Sequence, residues 1–75
     1  MLTEKDFEQK GYWTDTTEEN ITVYGKDLPD GGFQLVTDPD GNTPSDPKSS
    51  LILATYDSRG AFVKFQELKN FSELK

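Results

Sequence analysis

Apolar residues in this chain come in short runs separated by turn-forming clusters, which predicts a small antiparallel sheet with helix confined to the ends. Thr3 can cap a helix of about two turns. Glu4 and Asp6 fall in its first turn, where negative charge suits the macrodipole, and Gly11 follows Lys10 as the terminating residue. Thr14–Asn20 is polar and predicts a loop after Gly11-Tyr12-Trp13. Ile21-Thr22-Val23-Tyr24 is β-branched and alternating, so it predicts the first strand. In Pro29-Asp30-Gly31-Gly32 the proline presets a turn and the glycines supply positive φ, so Phe33–Thr37 returns as the second strand.

Asp38–Lys48 carries Pro39, Pro44 and Pro47, none of which can donate to a central ladder, and predicts a long loop. Leu51–Tyr56 follows, apolar on both faces over its first half, as expected of a central strand covered on two sides. Asp57-Ser58-Arg59-Gly60 predicts a type I turn with glycine in the left-handed position, and Ala61–Phe65 pairs back. Leu68, Phe71 and Leu74 recur at three-residue spacing, compatible with a short C-terminal helix or with extended chain. The fold expected is therefore α+β: a short N-terminal helix, a four-stranded antiparallel β-meander and a short C-terminal helix, with the helices on one sheet face. A small five-stranded all-β barrel is the competing architecture.

Composition tightens this reading to a single small domain spanning residues 1–75, close to the lower size limit for one core without disulfides or metal. Mean hydropathy is −0.76, but nine aromatics (one Trp, three Tyr, five Phe) each bury a large area and favour folding over disorder. Trp13 is expected in the core, while Tyr24 and Tyr56 fit either the core or an exposed platform. No run approaches a membrane span and the N-terminal ten residues lack an apolar leader core, so a soluble cytoplasmic protein is expected.

Charge and missing residue types then restrict the chemistry. Fourteen acids face eight bases, for a net charge of −6, and histidine and cysteine are absent. General base, thiol nucleophile and thiolate zinc chemistry lose their usual carriers. The serines have no imidazole partner, no phosphate-binding glycine loop is present, and paired carboxylates on loop tips lack a cleft. The expectation is a non-enzymatic domain without cofactor, and direct binding to nucleic acid is disfavoured by the charge.

A meander places alternate loops at the same end, so Asp15, Glu18 and Glu19 join Asp38, Asp40 and Asp46, opposed only by Lys48. Six acids against one base leave −5 of the total −6 at that pole. Lys26, Asp27, Asp30, Asp57 and Arg59 nearly balance at the other. A protein partner, basic or itself nucleic-acid-binding, is expected at the acidic pole. One version is a nucleic-acid mimic that occupies a DNA- or RNA-binding protein, as small phage and mobile-element inhibitors do. Ile21–Tyr24, free of charge, is expected to offer an open edge for a homodimer or an added partner strand. A third reading is weak calcium binding by Asp38, Asp40, Asn42 and Asp46, because Asp38-x-Asp40-Gly41-Asn42 matches the start of an EF-hand loop. Thr43, Pro44 and Ser49 then stand where that loop needs glycine, a carbonyl ligand free of proline and a bidentate glutamate, so a solvated turn fits better.

Overall fold

A computed structural model describes residues 1–75. Helix α1 spans Glu4–Glu8, and five strands follow: β1 Trp13–Thr16, β2 Thr22–Asp27, β3 Phe33–Thr37, β4 Leu51–Tyr56 and β5 Phe62–Leu68. They form one antiparallel sheet in the order β1-β2-β3-β4-β5. The antiparallel meander expected from sequence is present, with two corrections to the architecture. The sheet has five strands rather than four, and it is open, since β1 and β5 are its edges and do not close a barrel. The C-terminal helix is a single 3₁₀ turn, Phe71–Glu73, whose start is capped by Asn70 Oδ1 accepting the Ser72 amide at 3.0 Å.

The additional strand lies where sequence predicts loop. Trp13-Thr14-Asp15-Thr16 alternates and is rich in β-forming residues, and it pairs with β2 in the register Trp13↔Gly25 to Thr16↔Thr22. As a result Ile21–Tyr24 is not an open edge. Its strand residues belong to β2, paired on both sides by β1 and β3.

Four successive five-residue turns are built alike. The first residue's amide bonds the fifth residue's carbonyl in Thr17–Ile21 (2.9 Å), Leu28–Gly32 (2.8 Å), Asp38–Asn42 (2.9 Å) and Asp57–Ala61 (2.9 Å). Position four takes positive φ in each, occupied by Asn20, Gly31, Gly41 and Gly60. In three of them the leading side chain accepts further amides: Thr17 Oγ1, Asp38 Oδ1 and Asp57 Oδ1.

One sheet face carries the core. Residue pairing puts Thr14, Tyr24, Val36, Leu51, Leu53 and Leu68 on it, and α1, the 43–48 segment and the C-terminal turn lie over its centre. Phe7 is the hub, fully buried, stacked on Tyr24 at 3.9 Å between ring centroids and edge-on to Phe71 at 5.1 Å. Main-chain bonds Leu2 N to Ser45 O (2.7 Å) and Phe71 N to Pro47 O (3.1 Å) tie the covering segments together. Tyr12 donates to the Lys75 main-chain oxygen at 2.9 Å. Burial pushes both Tyr12 and Tyr24 above the usual tyrosine range, with the nearby Glu4 and Asp6 carboxylates adding to the effect on Tyr24.

Candidate binding surfaces

The six acids expected to act together do share one end of the sheet, joined where Thr43 Oγ1 donates to the Thr22 carbonyl at 2.6 Å. They form two groups there. Asp38, Asp40 and Asp46 line an open concavity of about 460 Å³ with Lys48, Ser49 and Ser50. Asp15, Glu18 and Glu19 lie on the neighbouring β1–β2 hairpin, all exposed and outside that concavity.

Three of the six carboxylates are occupied with local structure. Asp38 Oδ1 accepts the amides of Asp40 (2.9 Å) and Asn42 (2.8 Å), Asp46 Oδ1 accepts that of Lys48 (2.9 Å), and Asp15 Oδ1 accepts that of Thr16 (2.8 Å). Asn42 contributes its amide to the turn and does not line the concavity. No three acidic side chains are disposed to hold a metal. The calcium-like spacing of Asp38-x-Asp40-Gly41-Asn42 has a simpler cause: it is the same turn as Asp57-Ser58-Arg59-Gly60-Ala61, with aspartate closing the loop through its own backbone.

The opposite face of the sheet is a second feature, of which the sequence points only to Tyr56 as a candidate for an exposed platform. Register places Trp13, Val23, Phe33, Leu35, Ile52, Ala54, Tyr56, Phe62 and Phe65 there, together with the polar Asp15, Asp27, Thr37 and Glu67. No helix or loop lies over it. Seven of the apolar residues are half-buried by neighbours within the sheet, while Phe62 and Phe65 are 57 % and 64 % exposed. Trp13, expected in the core, lies instead on this face across Gly25 and donates from Nε1 to Asp27 at 3.3 Å. A row of rings continues toward the other edge: Phe33 stacks on Tyr56 at 5.0 Å, Tyr56 meets Phe62 edge-on at 5.9 Å, and Phe62 lies 6.4 Å from Phe65.

The two undecided tyrosines therefore separate, Tyr24 into the core and Tyr56 onto the open face. The expectation that β4 is covered on both sides also needs correction, because only the Leu51/Leu53 side is covered. The available signal was the apolar Ile52 and Ala54 interleaved with Leu51 and Leu53, together with Phe62 and Phe65 on a strand predicted to be outermost. Both edges are blunted. β5 is bulged at Val63, where register shifts between Thr55↔Lys64 and Tyr56↔Phe62, and it carries Lys64 and Glu67. β1 has only four residues and includes Asp15. No helix is long and apolar enough to cross a membrane. Comparison with known protein families, curated proteins and solved structures finds no match.

Proposed function

We propose that this chain is a non-enzymatic interaction domain that docks a protein partner on the open face of its sheet. The observation carrying this reading is the contiguous aromatic and aliphatic face ending in Phe62 and Phe65, more than half exposed. Exposed apolar patches of this kind on small domains mark interaction sites, and aromatic anchors dominate binding energy. The same chain places polar residues where its other face is uncovered, at Gln34, Thr55, Lys64 and Gln66. The open face is the more apolar of the two uncovered surfaces, with Asp15, Asp27, Thr37 and Glu67 as its polar members.

The test compares wild-type protein with the Phe62→Lys/Phe65→Lys double variant as immobilised baits. Proteins retained by the wild type and lost by a folded double variant support the reading, and identical retention by both overturns it.

A second reading, a basic or nucleic-acid-binding partner held at the acidic end, is favoured by the gathering of Asp38, Asp40 and Asp46 around one concavity. Such binding weakens steeply with added salt and with Glu18, Glu19, Asp38 and Asp40 changed to their amides. A salt-insensitive complex excludes it.

A further inference from the structure

We infer that the partner on the open face is a second copy of this chain, packed face to face as a two-sheet sandwich with the acidic poles at opposite ends. This rests on the reading of that face as a docking surface and adds the identity of the occupant.

Three observations support a copy. First, the chain supplies one covering layer for a sheet whose β4 is apolar on both sides, and the middle row of the uncovered face, Trp13, Leu35, Ala54 and Phe65, is apolar throughout, with Asp15, Asp27, Thr37 and Glu67 on the rows to either side. A flat pleated sheet finds its closest match in another sheet about 10 Å away, with the two inner faces interdigitating. Second, the area suffices. At 57 % and 64 % exposure, Phe62 and Phe65 leave about 250 Å² uncovered, taking roughly 200 Å² for each side chain. Their half-buried neighbours add about as much again, so two copies remove about 1,000–1,100 Å² from water, at the threshold of a specific interface. Third, the edges are unsuited to the alternative of strand-to-strand pairing, being bulged at Val63 and charged at Asp15, Lys64 and Glu67.

Charge then selects the arrangement. A two-fold axis along the strands would set both acidic ends side by side. An axis across the strands sets each acidic end beside the partner's nearly balanced end, where Arg59 stands in the β4–β5 turn, and it lays β5 over β5 with Phe65 near the axis direction that both copies share.

Sedimentation equilibrium tests the proposal on the wild type, Phe65→Lys, Ala54→Lys and, as a control on the other face, Gln66→Lys. A reversible dimer with a dissociation constant of about 1–100 μM is expected for the wild type and the control. Each open-face variant should weaken it by at least about 30-fold while keeping the wild-type circular dichroism. Ala54 lies inside the face, so its variant spares an edge-paired dimer. Amide exchange on the wild type makes the same distinction without a substitution, because protection of outward-pointing β5 amides would overturn face-to-face packing. Spin labels on Ser58→Cys, in a chain with no other cysteine, should lie about one strand length apart, on the order of 20–25 Å for strands of this length at about 3.3 Å per residue. A short distance would overturn the arrangement of the poles.

A wild type that stays monomeric throughout overturns the second copy. The docking reading is judged separately by binding of anilinonaphthalene sulfonate to that monomer, lost in Phe62→Lys/Phe65→Lys. Absence of dye binding by a monomer would remove both.

Discussion

Phe7 and Phe65 are the same residue type on opposite sides of one sheet, the first fully buried against Tyr24 and the second 64 % exposed. The strands treat their two faces alike in placing aromatic and branched residues toward each. What differs is the chain available to cover them. Leu2, Phe7, Tyr12, Phe71 and Leu74 from the flanking segments pack on the Tyr24 side, and none of these segments lies over the Trp13 side. On the proposed reading stability and recognition fall to different faces, and substitutions at matched positions can separate the two.

The largest effect is expected at the hub of the packed face. Phe7→Ala removes a fully buried ring that touches Tyr12, Tyr24 and Phe71, a loss of about 3–5 kcal/mol. A single core of this size supplies only about 3–5 kcal/mol net, so the variant should be largely unfolded, as read by near-ultraviolet circular dichroism and urea titration. A native-like spectrum would mean that the packed face is not where stability resides.

Gly25→Ala probes the junction between the faces. A Cβ there would stand 2.8 Å from the Gln34 carbonyl oxygen and within the space of the Trp13 ring. Overpacking of this kind costs about 1–3 kcal/mol, and displacement of the only tryptophan should shift its fluorescence toward the red. Adding Trp13→Ala should recover part of the stability and not all, because the clash with the Gln34 backbone persists.

The tyrosines of the packed face give it a pH dependence. Tyr12 and Tyr24 titrate above their ordinary 10.0 when folded, since burial disfavours the phenolate. The folded state therefore holds its protons longer than the unfolded state. Their contribution is fully present below the unfolded value and is lost as pH rises through the folded values. Urea midpoints should be flat approaching pH 10 from below and fall above it, with a shallower fall in Tyr24→Phe. Thr14, on the same face, has a buried hydroxyl without a partner. Thr14→Val should raise stability by about 1 kcal/mol, because the cost of an unsatisfied polar atom disappears with little change of shape.

Most of the order of elements was legible in the sequence because it rests on local chemistry. Pro29-Asp30-Gly31-Gly32 and Asp57-Ser58-Arg59-Gly60 mark turns through residues that tolerate or impose particular φ values, and the structure uses them so. β1 was missed because Thr14–Asn20 is polar, and a short edge strand needs no buried pattern of its own. Its partner β2 supplies the hydrogen bonds and the register. Trp13 was misplaced for a related reason: its destination is fixed by Gly25, twelve residues away, where the absence of a side chain leaves room for the indole. At the acidic end, topology was enough to gather the six carboxylates. Which of them meet in one concavity depends on how residues 38–50 fold back under the sheet, and no spacing in the sequence encodes that.

The smallest expected effect is the most informative about the open face. Phe65→Ser deletes a ring that the monomer already leaves 64 % in water and that meets Phe62 only at 6.4 Å. In dilute solution the variant should unfold within about 0.5 kcal/mol of the wild type, as surface substitutions do. That equality should disappear as concentration rises, because association stabilises whichever chain can dimerise by mass action. Wild-type melting temperature should climb with protein concentration while that of Phe65→Ser stays constant. Coincident curves at every concentration would show that Phe65 contributes to neither folding nor association. A gap already present in dilute solution would place Phe65 in the monomer's own stability, erasing the contrast with Phe7.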